Sequence, residues 1–187
     1  MTPNDIAETS RKRMLRKMPK NAVAVEVGVF RGAFAKEIMC MSEPKELMLI
    51  DPWVFQQPIK EQWSYIPWSG IRSQADFDKE YQKVTDHFGA LSNVKIIRGY
   101  SHEIVSTIPD NHVDWVYVDG AHDFDSVVED VRDWYNKIKI GGYICGDDWD
   151  WSPEHGCPVK QAVEHILPTL PHKDWHLDGN QWFFKKI

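Results

Sequence analysis

The sequence has little of what would staple it, anchor it in a membrane or charge it positively. Cysteine occurs three times, at Cys40, Cys145 and Cys157, an odd number with no C-x-x-C spacing. That argues against a disulfide framework and a cysteine-based zinc site, and fits free thiols in a reducing cytoplasm. No apolar run approaches the length of a membrane span, and the N-terminus lacks the apolar core of a signal peptide. Basic charge is in deficit: 22 Lys and Arg against 28 Asp and Glu leave a formal net charge of -6. Nucleic-acid binding rests on clustered Lys and Arg, so neither nucleic acid nor a membrane is expected as a partner. The one basic run, Arg11-Lys-Arg-Met-Leu-Arg-Lys17, reads as the solvated face of an N-terminal helix. Internal repeats and low-complexity tracts are also missing.

What is present describes an ordinary globular chain with an unusual aromatic load. Its 187 residues suit one domain, 1–187, with a sizeable core, and 42% hydrophobic and 27% charged residues are typical of soluble proteins. Trp occurs nine times. Exposed indole is costly without a purpose, so some of these are expected on a binding surface.

The chain is organised around Ala22-Val-Ala-Val-Glu-Val-Gly-Val-Phe-Arg-Gly32. The apolar run over 22–29 reads as a buried strand, Gly28 and Gly32 open a tight turn, and 32–41 has helical spacing, with Phe34, Ile38 and Met41 on one side. A strand turning on glycines into a helix brings bare backbone N–H groups to a helix N-terminus, a place to hold a small ligand. The plainer alternative is that these glycines only let helix and strand pack closely.

The other elements follow by pattern. Residues 4–18 read as an amphipathic helix stopped by Pro19, and 46–51 as a second strand ending in Asp51. The stretch 52–72 holds Trp53, Trp63 and Trp68 among prolines and reads as a lid or substrate-facing insertion, with a partly helical packing segment as the alternative. A helix over 73–88, a strand over 94–99, a short helix over 101–107, a strand over 113–119 and a helix over 124–138 come next. A fifth strand starts at Gly141 and runs to Asp147-Asp148, a helix covers 159–167, and 174–185 reads as a hairpin across Gly179-Asn180. Strand and helix alternate five times before the hairpin. That implies an α/β fold, a mostly parallel sheet with helices on both faces.

Ligands of open parallel sheets bind beyond the carboxyl ends of the strands. Those ends carry Glu26, Gly28 and Gly32; Asp51; Gly99, Tyr100 and Ser101; Asp119 and His122; and Asp147 and Asp148. Four of five ends bear acids, an alignment that folding alone does not require. Asp51 follows the glycine turn at the spacing at which an acid meets a ribose diol. The turn is G-x-x-x-G, without the glycine that admits a pyrophosphate, so a nucleoside without phosphates fits better than a dinucleotide. Asp119 and Asp147-Asp148 end strands expected to be neighbours at about 5 Å, where carboxylates repel unless a hard cation such as Mg²⁺ sits among them. His122 points into the same crevice as a candidate general base. His102 and His155 are reserves. Trp149 and Trp151 are placed at the rim, with packing against the sheet as the alternative.

On these motifs the chain resembles the class I S-adenosylmethionine-dependent methyltransferases, over about residues 21–187. Val25-Glu-Val-Gly-Val-Phe-Arg-Gly32 is similar to the family's first motif, so Glu26, Gly28, Arg31 and Gly32 are implied at the methionine end of the cofactor. Asp51 is implied at the ribose, Tyr100 and Ser101 at the adenine, and Asp119 beside the cofactor. The fold implied is a Rossmann-like three-layer sandwich with a seven-stranded sheet and an antiparallel last strand. Asp119-Gly-Ala-His122 with Asp147-Asp148 resembles the metal-dependent sugar O-methyltransferases of the macrocin and mycinamicin type. That implies Mg²⁺ or another divalent cation on Asp119, Asp147 and Asp148, with His122 or Asp119 taking the proton of a small-molecule hydroxyl acceptor. A cytoplasmic enzyme is expected, with a homodimer as one option. A nicotinamide-dependent oxidoreductase and a non-catalytic cofactor-binding protein are the alternatives.

Overall fold

The computed structural model describes residues 8–55 and 69–187. Most of the expected lid, with Trp63 and Trp68, lies outside the described residues, as does the start of the expected N-terminal helix. Seven strands form one sheet: β1 (Val23–Val27), β2 (Glu46–Asp51), β3 (Val94–Arg98), β4 (Val113–Val118), β5 (Ile138–Gly146), β6 (His172–Asp178) and β7 (Gln181–Lys186). Their order is β3-β2-β1-β4-β5-β7-β6. The first five are parallel, and β7 runs antiparallel to both β5 and β6. The fold is therefore the α/β Rossmann-like arrangement implied by the sequence.

Helices cover both faces. α1 (Ser10–Leu15), α2 (Ala33–Ser42) and α3 (Gln74–Phe88) lie on one side, where Met14, Leu15, Phe34, Ile38, Val84 and Phe88 pack on Leu47, Leu49, Trp115 and Tyr117. On the other, α4 (Ser101–Ile104), α5 (Phe124–Lys137) and α6 (Pro158–Ile166) pack on Val25, Val27, Val116, Val118 and Ile144, through Val127, Val131, Trp134 and Val163 among others.

The boundaries that differ from the pattern have local causes. α1 begins only at Ser10, because the Thr9 hydroxyl accepts from the Lys12 amide at 3.4 Å and caps the helix there. β5 begins at Ile138, three residues before the expected Gly141, directly where α5 ends. The glycine pair read as a strand start is instead part of an irregular pairing with β4, where the register shifts between Val113 and Trp115. A Cβ at Gly142 would stand 2.4 Å from the Asp114 carbonyl oxygen, so only glycine allows this approach.

The order reverses between β1 and β4, and the crevice at their carboxyl ends is the switch point. Alternation along the strands decides which face each terminal acid serves. Glu26 shares the side of Ala24, Asp51 that of Leu49, Asp119 that of Tyr117 and Asp147 that of Cys145. These partners all belong to the core beneath α1, α2 and α3, so four carboxylates from four adjacent strands collect under the same three helices.

Candidate active site

The turn after β1 is set by backbone crowding. Gly28 has φ +88°, its amide donates to the Ile50 carbonyl at 2.9 Å, and a Cβ there would stand 1.9 Å from the carbonyl oxygen of Asp119. A Cβ at Gly32 would stand 2.9 Å from the Phe88 ring. Close packing is thus one reason for both glycines. The first of them also brings the β1 turn against the end of β4.

Glu26, 1% exposed, lies directly beneath. Its Oε2 is buried with no hydrogen-bond partner among the described residues. Burial first, then the neighbouring Asp119, push its carboxyl well above the usual range, against the pull of Arg11. Asp51 is 8% exposed and accepts the Phe30 amide on Oδ2 at 2.8 Å and the Trp53 amide on Oδ1 at 2.7 Å. The Trp53 indole N–H donates back to the Phe30 carbonyl at 2.8 Å. Asp51 therefore stitches the β1 turn to the chain after β2, and Trp53 is fully buried. Arg31 is engaged by Glu80 at 3.3 Å and by the Ser69 carbonyl at 2.7 Å, which ties the turn to α3. Tyr100 stacks on His102, and Ser101 Oγ accepts the Trp134 indole N–H at 2.9 Å.

At the ends of β4 and β5 the acids divide into two groups around Asp119. Its Oδ2 accepts from Arg11 Nη2 at 2.9 Å, and Arg11 Nε donates to Asp147 Oδ2 at 2.8 Å. The guanidinium lies 5.1 Å from the Phe34 ring centre and 5.9 Å from that of Tyr117. Asp147 also accepts from Gln181 Nε2, whose own oxygen accepts the Tyr117 hydroxyl at 2.7 Å. On the other side, His122 Nε2 stands 3.6 Å from Asp119 Oδ1 and 3.1 Å from Asp148 Oδ2, so the ring bridges the two carboxylates. Asp148 reaches it through a left-handed backbone, φ +61°, which turns its carboxylate out of the alternation that governs Asp147. Ligand atoms of Asp119, His122 and Asp148 all lie within 4.8 Å of one another.

Burial raises the Asp119 carboxyl against the pull of His122 and Arg11, and pushes Asp148 up to about 6. It presses the His122 imidazolium down, but Asp119 and Asp148 more than reverse this, so the ring is raised.

The sequence placed the cation on Asp119, Asp147 and Asp148. The structure gathers Asp119, His122 and Asp148, and gives Asp147 to Arg11 and Gln181. Two residues of this centre were not read from the sequence. Arg11 was assigned to a solvated face, and Gln181 carried no signal inside a hairpin. Of the two tryptophans placed at the rim, Trp151 stands edge-to-face with His122, ring centres 5.1 Å apart, whereas Trp149 packs in the core against Trp175.

A sequence comparison matches residues 25–149 to a family described as a methyltransferase domain. The chain belongs to that family. This sets aside the oxidoreductase reading for the methyltransferase. Among curated proteins it is 30% identical over 155 residues to an uncharacterized protein, R132, of Acanthamoeba polyphaga mimivirus, across 78% of this chain. The chain spans 59% of the length of that relative. Solved structures share the fold at low identity. The N-methyltransferase NodS of Bradyrhizobium japonicum superposes at TM-score 0.61 and 11% identity, covering 94% of each chain. The O-methyltransferase NovP gives 0.63 and 16%, covering 94% of this chain and 79% of NovP. A Streptococcus mutans protein solved in complex with SAH gives 0.63 and 11%, covering 94% of this chain and 95% of that chain. Among the described residues no helix is long and apolar enough to cross a membrane.

Proposed function

We propose that this methyltransferase moves a methyl group from S-adenosylmethionine to a hydroxyl of a small molecule, a sugar or related compound, with a divalent cation in the crevice. The observation that carries this reading is the cluster of Asp119, His122 and Asp148, whose ligand atoms all lie within 4.8 Å of one another. The two carboxylates favour the protonated ring while the crevice is empty, and a cation bound there would take the place of that proton on Nε2. Charge supports it. Asp119, Asp147 and Asp148 against Arg11 leave two negative charges, which a divalent ion offsets.

Asp119, His122 and Asp148 would hold the cation, which when bound lowers the pKa of an acceptor hydroxyl. His122 is then a ligand, and the hydroxyl proton passes to a carboxylate. Asp148 is the most open of the three acids, its side chain 21% exposed against 16% for Asp119 and 8% for Asp147.

On the cofactor side, the orphaned Oε2 of Glu26 suits the ammonium group of a methionine moiety. Asp51 retains lone pairs for a ribose diol, and the Tyr100–Ser101 turn stands where adenine would lie. Calorimetry with S-adenosylmethionine tests this side. Glu26→Gln should weaken binding by about tenfold or more, the loss of one charged hydrogen bond, and unchanged affinity overturns the assignment. Transfer to a hydroxyl acceptor should stop in excess chelator and in Asp119→Asn; full turnover in either case removes the cation from the reaction.

A further inference from the structure

The least expected contact in the crevice is Arg11. It comes from the other end of the chain, 108 residues from Asp119 and 136 from Asp147. It is not a surface residue swinging freely. α1 is fixed beneath it by Met14 and Leu15, both buried in the core, and Phe34 and Tyr117 form an aromatic seat for the guanidinium. The planar head donates to both carboxylates at once, from Nε to Asp147 and from Nη2 to Asp119. Gln181 completes the arrangement from the opposite side of Asp147.

We infer that Arg11 is a tethered cation that reserves Asp147 and one oxygen of Asp119, and so limits a divalent ion to the Asp119–His122–Asp148 side of the cluster. This rests on the proposed cation site and goes beyond it, because it assigns the site's capacity to a residue outside the acidic motifs. Without Arg11, the pair Asp119 and Asp147 forms a second, competing set of oxygen ligands next to the first. With Arg11 in place, one carboxylate is occupied, one is shared, and a fixed positive charge stands beside the ion. An ion there would be held more weakly, by Asp119, His122 and Asp148 and not by Asp147. Asp147 is then a positioning residue that orients Arg11, and not a ligand.

The test is Mn²⁺ binding to the protein alone, followed through the spectrum of free Mn²⁺, with no turnover involved. Arg11→Gln should bind Mn²⁺ about tenfold more tightly than the unaltered protein, because a like charge is removed and two carboxylate oxygens are released. Arg11→Lys keeps the charge on a single-point donor and should stay within about threefold of the starting affinity. Asp147→Asn should change affinity by less than about threefold, whereas Asp119→Asn should lower it by a hundredfold or so. Equal or weaker binding by Arg11→Gln overturns the inference. So does an Asp147→Asn variant that loses Mn²⁺ as Asp119→Asn does, a result that stands even if the Arg11 variants do not fold. If the unaltered protein and Arg11→Gln both fail to bind Mn²⁺, the cation site itself is refuted, and the role of Arg11 falls with it.

Discussion

Asp130 shows how a single side chain can carry information about a whole surface. It sits on the apolar side of α5, between Val127 and Trp134, and is 7% exposed. Ser101 hydrogen-bonds to it, and a Cβ on Gly120 would stand 3.8 Å from its Oδ2, so it lies under both loops that flank the proposed adenine position. Burial pushes its carboxyl up to about 7, against the hydrogen bond from Ser101. The folded state therefore binds a proton that the unfolded chain has already released. The contribution of this group to stability falls as pH rises from the unfolded carboxyl range to about 7, by at most roughly 1.4 kcal/mol per pH unit, and levels off above it. Asp130→Asn should remove that slope in thermal melts between pH 4 and 8, and an unaltered slope would assign it to other groups. An acid on the apolar face of a helix is a signal the sequence does contain. Arg11 offers none of this kind: five of the seven residues from Arg11 to Lys17 are basic, and only the docked helix distinguishes the one that turns inward.

Among the elements, the strands were the most legible, because a run such as Val113-Asp-Trp-Val-Tyr-Val118 has no other use in a chain of this composition. The alternation that places Glu26, Asp51, Asp119 and Asp147 on one face could also be counted from the sequence. What could not be counted is which helices lie over that face. Asp148 was legible as a cation ligand beside Asp119 and Asp147, but its divergence from Asp147 was not, since its left-handed backbone breaks the period that the strand sets. α1 connects this scale to the site. At six residues it is too short to be stable alone, and Met14, Leu15 and the following Met18 hold it by burial. Leu15→Ala should cost about 2–5 kcal/mol and should loosen Arg11 as well, so Mn²⁺ affinity in that variant should move in the same direction as in Arg11→Gln. Lost stability with unmoved affinity would separate the helix from the crevice.

At the scale of the molecule, the two halves of the sheet meet at one seam. β1 and β4 pair from Ala24 with Trp115 to Val27 with Val118, and Gly28 continues the seam against the backbone of Asp119. The half bearing Glu26 and Asp51 faces the proposed cofactor, and the half bearing Asp119, His122 and Asp148 faces the proposed acceptor. Gly28→Ala combines an unfavourable φ with a backbone collision and should cost at least about 2 kcal/mol. Its denaturant midpoint should fall well below that of the unaltered protein; a retained midpoint would mean that the seam can open without penalty. The alternation of strands and helices predicted this architecture, but the seam depends on distances between segments about ninety residues apart.

The hydrogen-bonded group around Asp147 draws on Arg11 near the start of the chain and Gln181 in the closing hairpin. A chain still being synthesised has made its strands in order, yet its acids at the ends of β4 and β5 lack their last fixed neighbour until residue 181 is free of the ribosome. Completion of the crevice then waits on the hairpin, and a chain cut short of it carries the five parallel strands without the Gln181 contact to Asp147.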